Sequence, residues 1–464
     1  MGNSAINEYL ESSYKNNKKK GLYVETSVLK ALGSPHDKIK AIHIAGTNGK
    51  GSQAVLLNNI LQEEGYKVGL FTSPHIIDFN ERIKINSVPI SDEDMLIQIN
   101  KLKAASKKVY EDKKNIIDFS KGKNKEPIDE KSIVDEKKID KENIMGFFEN
   151  MTVMAINYFY EKNVDFVILE TGIGGRRDST NVIKSPILTI ITSISKDHMN
   201  VLGKKITEIA VEKAGIIKKN CPLVLYSQSN KVYNEIEKFA IRRNADLYYI
   251  ENELNVFDIN YSLEKTSFSV THKYFKYNNI EIKLLGKFQI YNTINVLLAI
   301  EALKKIGVEI KGTSIYNALR ETSWLGRMQL VKRGGKIILL EGAHNFEAIL
   351  KLKESIDIYF KNKRVTIVFG ILSDKQYKKI INYISYLNAD IILTRPLNAK
   401  AVSPLELKKS LGRYGLEDNT YSKFMLSDNY EDAINMALSL PNEIIAVTGS
   451  LYLVSDAIKF FQRG

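Results

Sequence analysis

Cysteine is almost missing from this chain, which carries one thiol, Cys221, in 464 residues. An internal disulfide framework is therefore excluded, and the reading that fits is a protein of the reducing cytoplasm. Proline is sparse, at nine residues, and no Pro-rich or Gly-rich tract occurs, which argues against large disordered regions. Long apolar runs are also lacking. The N-terminal MGNSAINEYLESSYKNNKKKG has no apolar leader core, and no stretch of about 18 apolar residues follows it, so neither secretion nor membrane spanning is expected. The usual phosphate-loop spacing, with four residues between the first glycine and Gly-Lys, is absent too.

What the chain does have is a basic balance, 67 Lys and Arg against 54 Asp and Glu, for a net charge of +13. Such a balance raises nucleic acid or an anionic substrate. Most of the lysine is interleaved with acid, as in KAASKKVYEDKKNIIDFSKGKNKEPIDEKSIVDEKK from Lys103 to Lys138, the composition of a solvated surface. No aromatic or arginine-rich groove pattern accompanies it, so nucleic acid is not an expected partner. Apolar residues make up 44%, ordinary for a globular protein, and the length exceeds one typical core, which predicts two domains.

The stretch IHIAGTNGKGS at 42–52 reads as strand, tight turn and helix. KVGLFTS at 67–73 is a second strand, 91–110 a helix, and the charged 111–143 stretch an irregular insertion. FFENMTVMAINYFYEKN reads as helix, DFVILETGIGG at 165–175 as a buried strand ending in a glycine turn, PILTIITSIS as another strand, and 204–217 as helix. Apolar strands alternating with helices predict an α/β fold with a mostly parallel sheet. From 222 to 285 the pattern becomes short alternating strands, and a helix at 290–305 precedes a boundary placed at 308/309. The expected domains are thus 1–308 and 309–464. In the second, KIILLEGAH, RVTIVFGIL, ADIILTRP and NEIIAVTGS all end strands in glycine or polar turns, where open α/β sheets bind ligands.

In GTNGKGS only Thr47 and Asn48 separate Gly46 from Gly49, yet small residues that expose N–H groups, a following helix N-terminus and the mobile Lys50 suit a phosphate. An ordinary tight turn fits the same residues. Ser73, Glu170 and His198 stand at strand ends, where they read either as caps and a structural histidine or together as Mg²⁺ ligands. Lys213, amid the apolar residues of ITEIAVEKAGIIK, reads equally as a snorkelling side chain.

Taken in order, HIAGTNGKGS at 43–52, TSPHIIDFNERI at 72–83, ETGIGGRRDSTN at 170–181, SKDHMNVLGKKITEIAVEKAGIIK at 195–218, WLGRMQ at 324–329, EGAHN at 341–345, GILSDK at 370–375 and TGSLYLVSD at 448–456 span almost the whole chain. With these blocks the sequence resembles the folylpolyglutamate synthase and dihydrofolate synthase family, a branch of the Mur-ligase-like enzymes that form amide bonds at the expense of ATP. The resemblance implies an N-terminal Mur-ligase-like ATPase domain with a phosphate loop, a C-terminal Rossmann-like domain, and ATP between them. It implies ligation of L-glutamate to a reduced folate or folylpolyglutamate, and also to dihydropteroate, through an acyl phosphate, by a cytoplasmic monomer. By the same resemblance Asn48, Gly49, Lys50, Gly51 and Ser52 match the phosphate loop. Asn292, Arg327 and Glu341 match nucleotide contacts. Ser73, Glu170 and His198 match positions for one or two Mg²⁺ ions, joined by Lys213 as a carbamylated ligand. The implied catalytic set is Lys50, Lys213, Arg327 and His344.

On the substrate side, GLYVETSVLKALGSP at 21–35 resembles a segment that holds the pterin-bearing substrate, and Arg177, Asp178 and Ser179 match its pocket. Departures from the family pattern fall at Gly146, where a hydroxyl residue is usual, at Phe288 in place of histidine, at Arg177 and Ser179 in place of leucine and alanine, and at Glu341 in place of aspartate. The competing readings are a Mur-like ligase for another acyl substrate and a P-loop ATPase without ligase activity.

Overall fold

The structure, a computed structural model, describes residues 2–14, 22–116, 141–411 and 423–463. Short, largely apolar runs such as AIHIA and FVILE are buried along their full length, as strands covered on both faces must be. They build a sheet of order β4-β3-β2-β5-β1-β6-β7-β8. Its strands are β1 (Ala41–Ala45), β2 (Val68–Phe71), β3 (Ile83–Ile85), β4 (Val88–Pro89), β5 (Phe166–Glu170), β6 (Leu188–Ile191), β7 (Leu223–Leu225) and β8 (Leu247–Tyr249). From β2 to β8 the pairing is parallel, while β3 and β4 run antiparallel at one edge. Ile44 lies opposite Glu170 on one side and Ile190 on the other. This register lines up the carboxyl ends of β2, β5, β1 and β6, and with them Ser73, Glu170 and Gly46.

One face of the sheet is covered by helices Lys50–Glu63 and Lys287–Lys305, the latter buried along most of its length. The opposite face carries helices Tyr23–Ala31 and Phe147–Glu161, which share a second apolar cluster. A small antiparallel sheet, β9 (Asn255–Tyr261), β10 (Thr266–His272) and β11 (Phe275–Ile282), adds Phe268, Val270, Ile280 and Ile282 to the first cluster. The second unit is a sheet of order β12-β13-β17-β14-β15-β16, with β12 (Gln329–Arg333), β13 (Lys336–Leu340), β14 (Val365–Phe369), β15 (Ala389–Leu393), β16 (Lys423–Leu426) and β17 (Ile444–Thr448). Only β12 runs antiparallel to its neighbour there.

The α/β architecture expected from the sequence is present, and three details differ. The helix expected to stop at 110 runs from Asp92 to Ile116, so the start of the charged 111–143 stretch continues a helix; 117–140 lies outside the described residues. The 222–285 region, read as strands throughout, contains helix Asn230–Arg242. Its buried Val232, Ile236 and Ala240 recur every four residues, a period obscured in sequence by the charged residues between them. Finally, helix Gly312–Glu321 packs Ile315, Ala318 and Leu319 into the core of the first unit, although it follows the boundary placed at 308/309.

The two units share apolar contacts. Ile76, just after β2, belongs to an apolar cluster of the second sheet, and Leu285 and Phe288 pack into the cluster on its other face. The Tyr359 hydroxyl of helix Phe346–Tyr359 accepts the Gly286 N–H at 2.9 Å.

Candidate active site

The chain leaves β1 into the 46–49 loop, which is pinned to the end of β6. The Thr47 N–H donates to the Ser193 carbonyl at 2.7 Å, and the Thr47 hydroxyl accepts the Ser195 N–H at 3.1 Å. Gly49 caps helix Lys50–Glu63 in a left-handed conformation, φ 87°, and a Cβ there would stand 2.6 Å from Asn292 Oδ1. Gly51 is less tightly confined, with Trp324 Nε1 at 3.3 Å and Glu170 Oε2 at 3.6 Å from a Cβ placed on it. The loop is therefore a backbone-lined cradle at a helix N-terminus, suited to phosphate oxygens.

Asn292 is held rigidly behind the cradle. Its Nδ2 donates to Gln289 Oε1 at 2.8 Å, its Oδ1 accepts from Gln53 at 3.1 Å, and Gln289 reaches the Ser52 hydroxyl at 3.3 Å. The Lys50 ammonium folds back onto the Gly46 and Thr47 carbonyls, 3.3 and 3.2 Å away, oxygen ligands of the kind a phosphate also offers. Burial lowers its pKa, opposed by the nearby carboxylates Glu170 and Asp197.

Lys213 does not snorkel. It is 3% exposed, and its amine donates to the Gly46 carbonyl beneath the loop. Burial and then the Lys50 charge push it down to about 7, so much of it is a neutral, nucleophilic amine near neutral pH. Its helix, Ile206–Ala214, is joined to the GIGG turn by the Arg176 N–H, which donates to the Glu212 carbonyl at 2.7 Å. Glu170, also buried, accepts the Ser73 N–H through Oε2 at 3.0 Å. Burial raises its pKa, with Lys50 opposing. The Glu170 carboxylate and the adjacent Ser73 are hard oxygen donors that suit Mg²⁺. His198 is turned differently: its Nε2 stands 3.2 Å from the Lys375 ammonium of the second unit.

The second unit supplies the facing wall. Arg327 Nη1 stands 3.8 Å from Glu341 Oε1, while Glu341 Oε2 accepts the Met328 N–H at 2.8 Å. His344 uses Nδ1 to donate to the Gly342 carbonyl at 2.8 Å. Asn345 caps helix Phe346–Tyr359 by accepting the Ala348 N–H, and exchanges side-chain amide hydrogen bonds of 2.8 and 3.3 Å with Asn48. Nucleotide-loop and second-unit residues therefore meet across one cleft.

The three substrate-side residues have different surroundings. Asp178 spends its carboxylate on its own loop, accepting the Ile173 N–H at 2.9 Å and the Thr180 hydroxyl at 2.6 Å. Ser179 donates to Glu25 Oε1 at 3.0 Å, tying the turn to helix Tyr23–Ala31, whereas Arg177 is exposed. Gly146 caps helix Phe147–Glu161 through its backbone, its N–H bonded to the Glu149 carboxylate. Phe288, in the place of the usual histidine, packs against the core of the second unit.

Sequence reasoning missed Gln53, Gln289, Trp324, Asp197, Lys375 and Asn345 as parts of this cleft. Four of them lie inside motif blocks: Asp197 precedes His198 in SKDH, Lys375 ends GILSDK, Asn345 ends EGAHN and Trp324 opens WLGRMQ. Arg82, which ends the run FNER, is also buried here, its Nε donating to His75 Nδ1 at 2.9 Å and its guanidinium 5.1 Å from the Phe147 ring centroid.

The Mur ligase middle domain matches residues 138–300, and the Mur ligase glutamate ligase domain matches residues 326–451. The dihydrofolate synthase/folylpolyglutamate synthase of Bacillus subtilis is 36% identical over 445 residues, which cover 95% of each chain. The crystal structure of folylpolyglutamate synthase from Thermotoga maritima is similar with a TM-score of 0.77 and 29% identity, over 100% of this chain and 98% of that one. An FPGS–AMPPCP–folate complex matches with a TM-score of 0.82 and 26% identity over 100% of both chains. The chain belongs to the folylpolyglutamate synthase/dihydrofolate synthase family.

Proposed function

We propose that this chain is an ATP-dependent ligase that joins L-glutamate to folates, acting both as a folylpolyglutamate synthase and, on dihydropteroate, as a dihydrofolate synthase. The observation that carries the reading is the cleft itself. The cradle with Lys50, Lys213 and Glu170 faces Arg327, Glu341 and His344 of the second unit. The bifunctional name of the Bacillus subtilis relative and the bound AMPPCP and folate of the structural relative support it.

In this reading the folate or pteroate carboxylate attacks the γ-phosphoryl group of ATP, giving an acyl phosphate and ADP. The amine of L-glutamate then attacks the acyl carbon and phosphate leaves. Backbone N–H groups of 48–52 and the Lys50 and Arg327 cations hold the phosphates and offset charge on the transferring group. Asn292 fixes the nucleotide beside the loop, and His344 positions the acyl phosphate or the incoming glutamate. Ser73 and Glu170 would hold Mg²⁺ in this reading, with His198 as a third donor, and the ion would supply electrostatic stabilisation of the phosphates. Carbamylation of the Lys213 amine by carbon dioxide, with loss of one proton, would replace an ammonium that repels Mg²⁺ by an oxygen ligand. Arg177, Asp178 and Ser179 belong to the pterin side, where Asp178 and Ser179 shape the loop. The 322–325 segment divides the two units, and the enzyme acts as a cytoplasmic monomer, a state that light scattering of the purified protein tests.

Removing one well-placed donor costs roughly 3–4 kcal/mol, about 10²–10³ in rate. Lys50→Ala is accordingly expected to suppress ATP-dependent product formation, and wild-type turnover would refute its role. The decisive assay offers ATP, Mg²⁺ and L-glutamate with dihydropteroate or tetrahydrofolate, and resolves products by mass. Glutamate addition to both acceptors is expected. Addition to one alone restricts the enzyme to that reaction, and addition to neither, with nucleotide binding intact, points to another acyl substrate.

A further inference from the structure

Asp197 lies in the loop between β6 and helix Met199–Leu202 of the first unit, 8% exposed, yet most of its partners belong to the second unit. Its Oδ1 accepts the Lys375 ammonium at 2.7 Å and the N–H of His198 at 2.8 Å. Its Oδ2 stands 3.4 Å from His344 Nε2 and accepts the Asn345 amide at 3.4 Å. Three second-unit side chains therefore converge on one carboxylate, beside a cavity of about 360 Å³ lined in part by His198, His344, Asn345 and Lys375.

The two nitrogens of His344 are anchored unequally. Nδ1 is tied to the Gly342 carbonyl within its own unit, whereas Nε2 stands 3.4 Å from Asp197 Oδ2 across the cleft and pairs with it when the ring carries its second proton. With the units apart, the first anchor persists and the second is lost, so the ring is fixed from both sides only in the closed arrangement. Closure also exchanges hydration of Asp197 and Lys375 for a direct ion pair. The desolvation cost of such buried pairs largely offsets their attraction, so the pair sets geometry more than affinity.

We infer that Asp197 is a positioning residue that makes the alignment of His344 conditional on closure of the two units. The inference rests on the reading that His344 works at the acyl centre. Lys375 and Asn345 serve it by holding the carboxylate in place.

A double-mutant cycle on the purified full chain tests this. Asp197→Asn keeps the shape of the side chain and is expected to lower kcat about tenfold or more, with the KM for ATP within about twofold and the melting temperature preserved. Combined with His344→Ala, it should add little to the loss caused by His344→Ala alone, because Asp197 acts through that ring. A purely structural defect would multiply the two losses instead. Additive losses, wild-type turnover in Asp197→Asn, or a large rise in the KM for ATP each overturn the inference. Full activity of His344→Ala overturns the role of His344 itself, which separates failure of the underlying reading from failure of this one. Should Asp197→Asn not fold, Lys375→Met in the same cycle is expected to show the same non-additivity, and additivity there overturns the inference.

Discussion

At the scale of single residues, Lys213 shows most clearly what a sequence leaves open. Its apolar surroundings permit a lysine that reaches out to water, and only the fold shows the amine turned inward onto the Gly46 carbonyl. Replacing it with alanine is expected to reduce ligase turnover by about 10²–10³, with partial recovery in added formate or acetate, because a small carboxylate substitutes for a carbamate. Absence of both the loss and the recovery in steady-state assays would remove Lys213 from the mechanism. Glu25 was legible only as part of a substrate-side segment. The structure buries it, and burial, followed by the Glu149 charge, pushes its carboxyl from 4.5 up to about 7. The folded state thus keeps a proton that the unfolded chain gives up, so this residue's contribution to stability falls as pH rises from about 4.5 to about 7. Glu25→Gln is expected to melt above the parent protein at pH 8, and the gap should close toward pH 5. A gap independent of pH would contradict the shift.

At the scale of elements, the strand ends were readable because each motif block places its polar residues just after an apolar run. Contacts between elements were not, since Gln53, Gln289 and Asn292 meet only when helices Lys50–Glu63 and Lys287–Lys305 pack in one register. Gly49 bears on both. Alanine at its left-handed φ of 87° adds about 1 kcal/mol or more of backbone strain. Its methyl would also displace Asn292, so Gly49→Ala is expected to lower kcat/KM for ATP tenfold or more, measured by initial rates. The linker between the units carries the single tryptophan of the chain, Trp324, whose indole packs beside Gly51 with the Lys84 ammonium 5.3 Å from the ring. Adding ADP should therefore change intrinsic tryptophan fluorescence, saturating with the nucleotide dissociation constant, and Trp324→Phe should abolish the signal. An unchanged spectrum at saturating ADP would mean that the nucleotide does not settle over Gly51.

For the whole molecule, the presence of two α/β units followed from strands alternating with helices along the sequence. How the units join did not, because the joining residues come from far apart: Ile76 follows β2, Leu285 and Phe288 stand near the start of helix Lys287–Lys305, and all pack into clusters of the second sheet. Shared apolar contacts of this kind predict one cooperative heat-capacity peak. Ile76→Ala and Phe288→Ala together, each costing about 2–4 kcal/mol, should split it into two. A single peak in the double variant would locate the coupling elsewhere. The cleft is also bridged by a pair of a different character, the reciprocal amides of Asn48 and Asn345. Neither carries charge, so counterions have nothing to screen there, and the neighbouring Lys375 and Asp197 are too buried for dissolved salt to weaken greatly. The grip of the phosphate loop on the second unit is thus set to ignore swings in ionic strength, leaving salt to act on the phosphates of the nucleotide rather than on the hinge that encloses them.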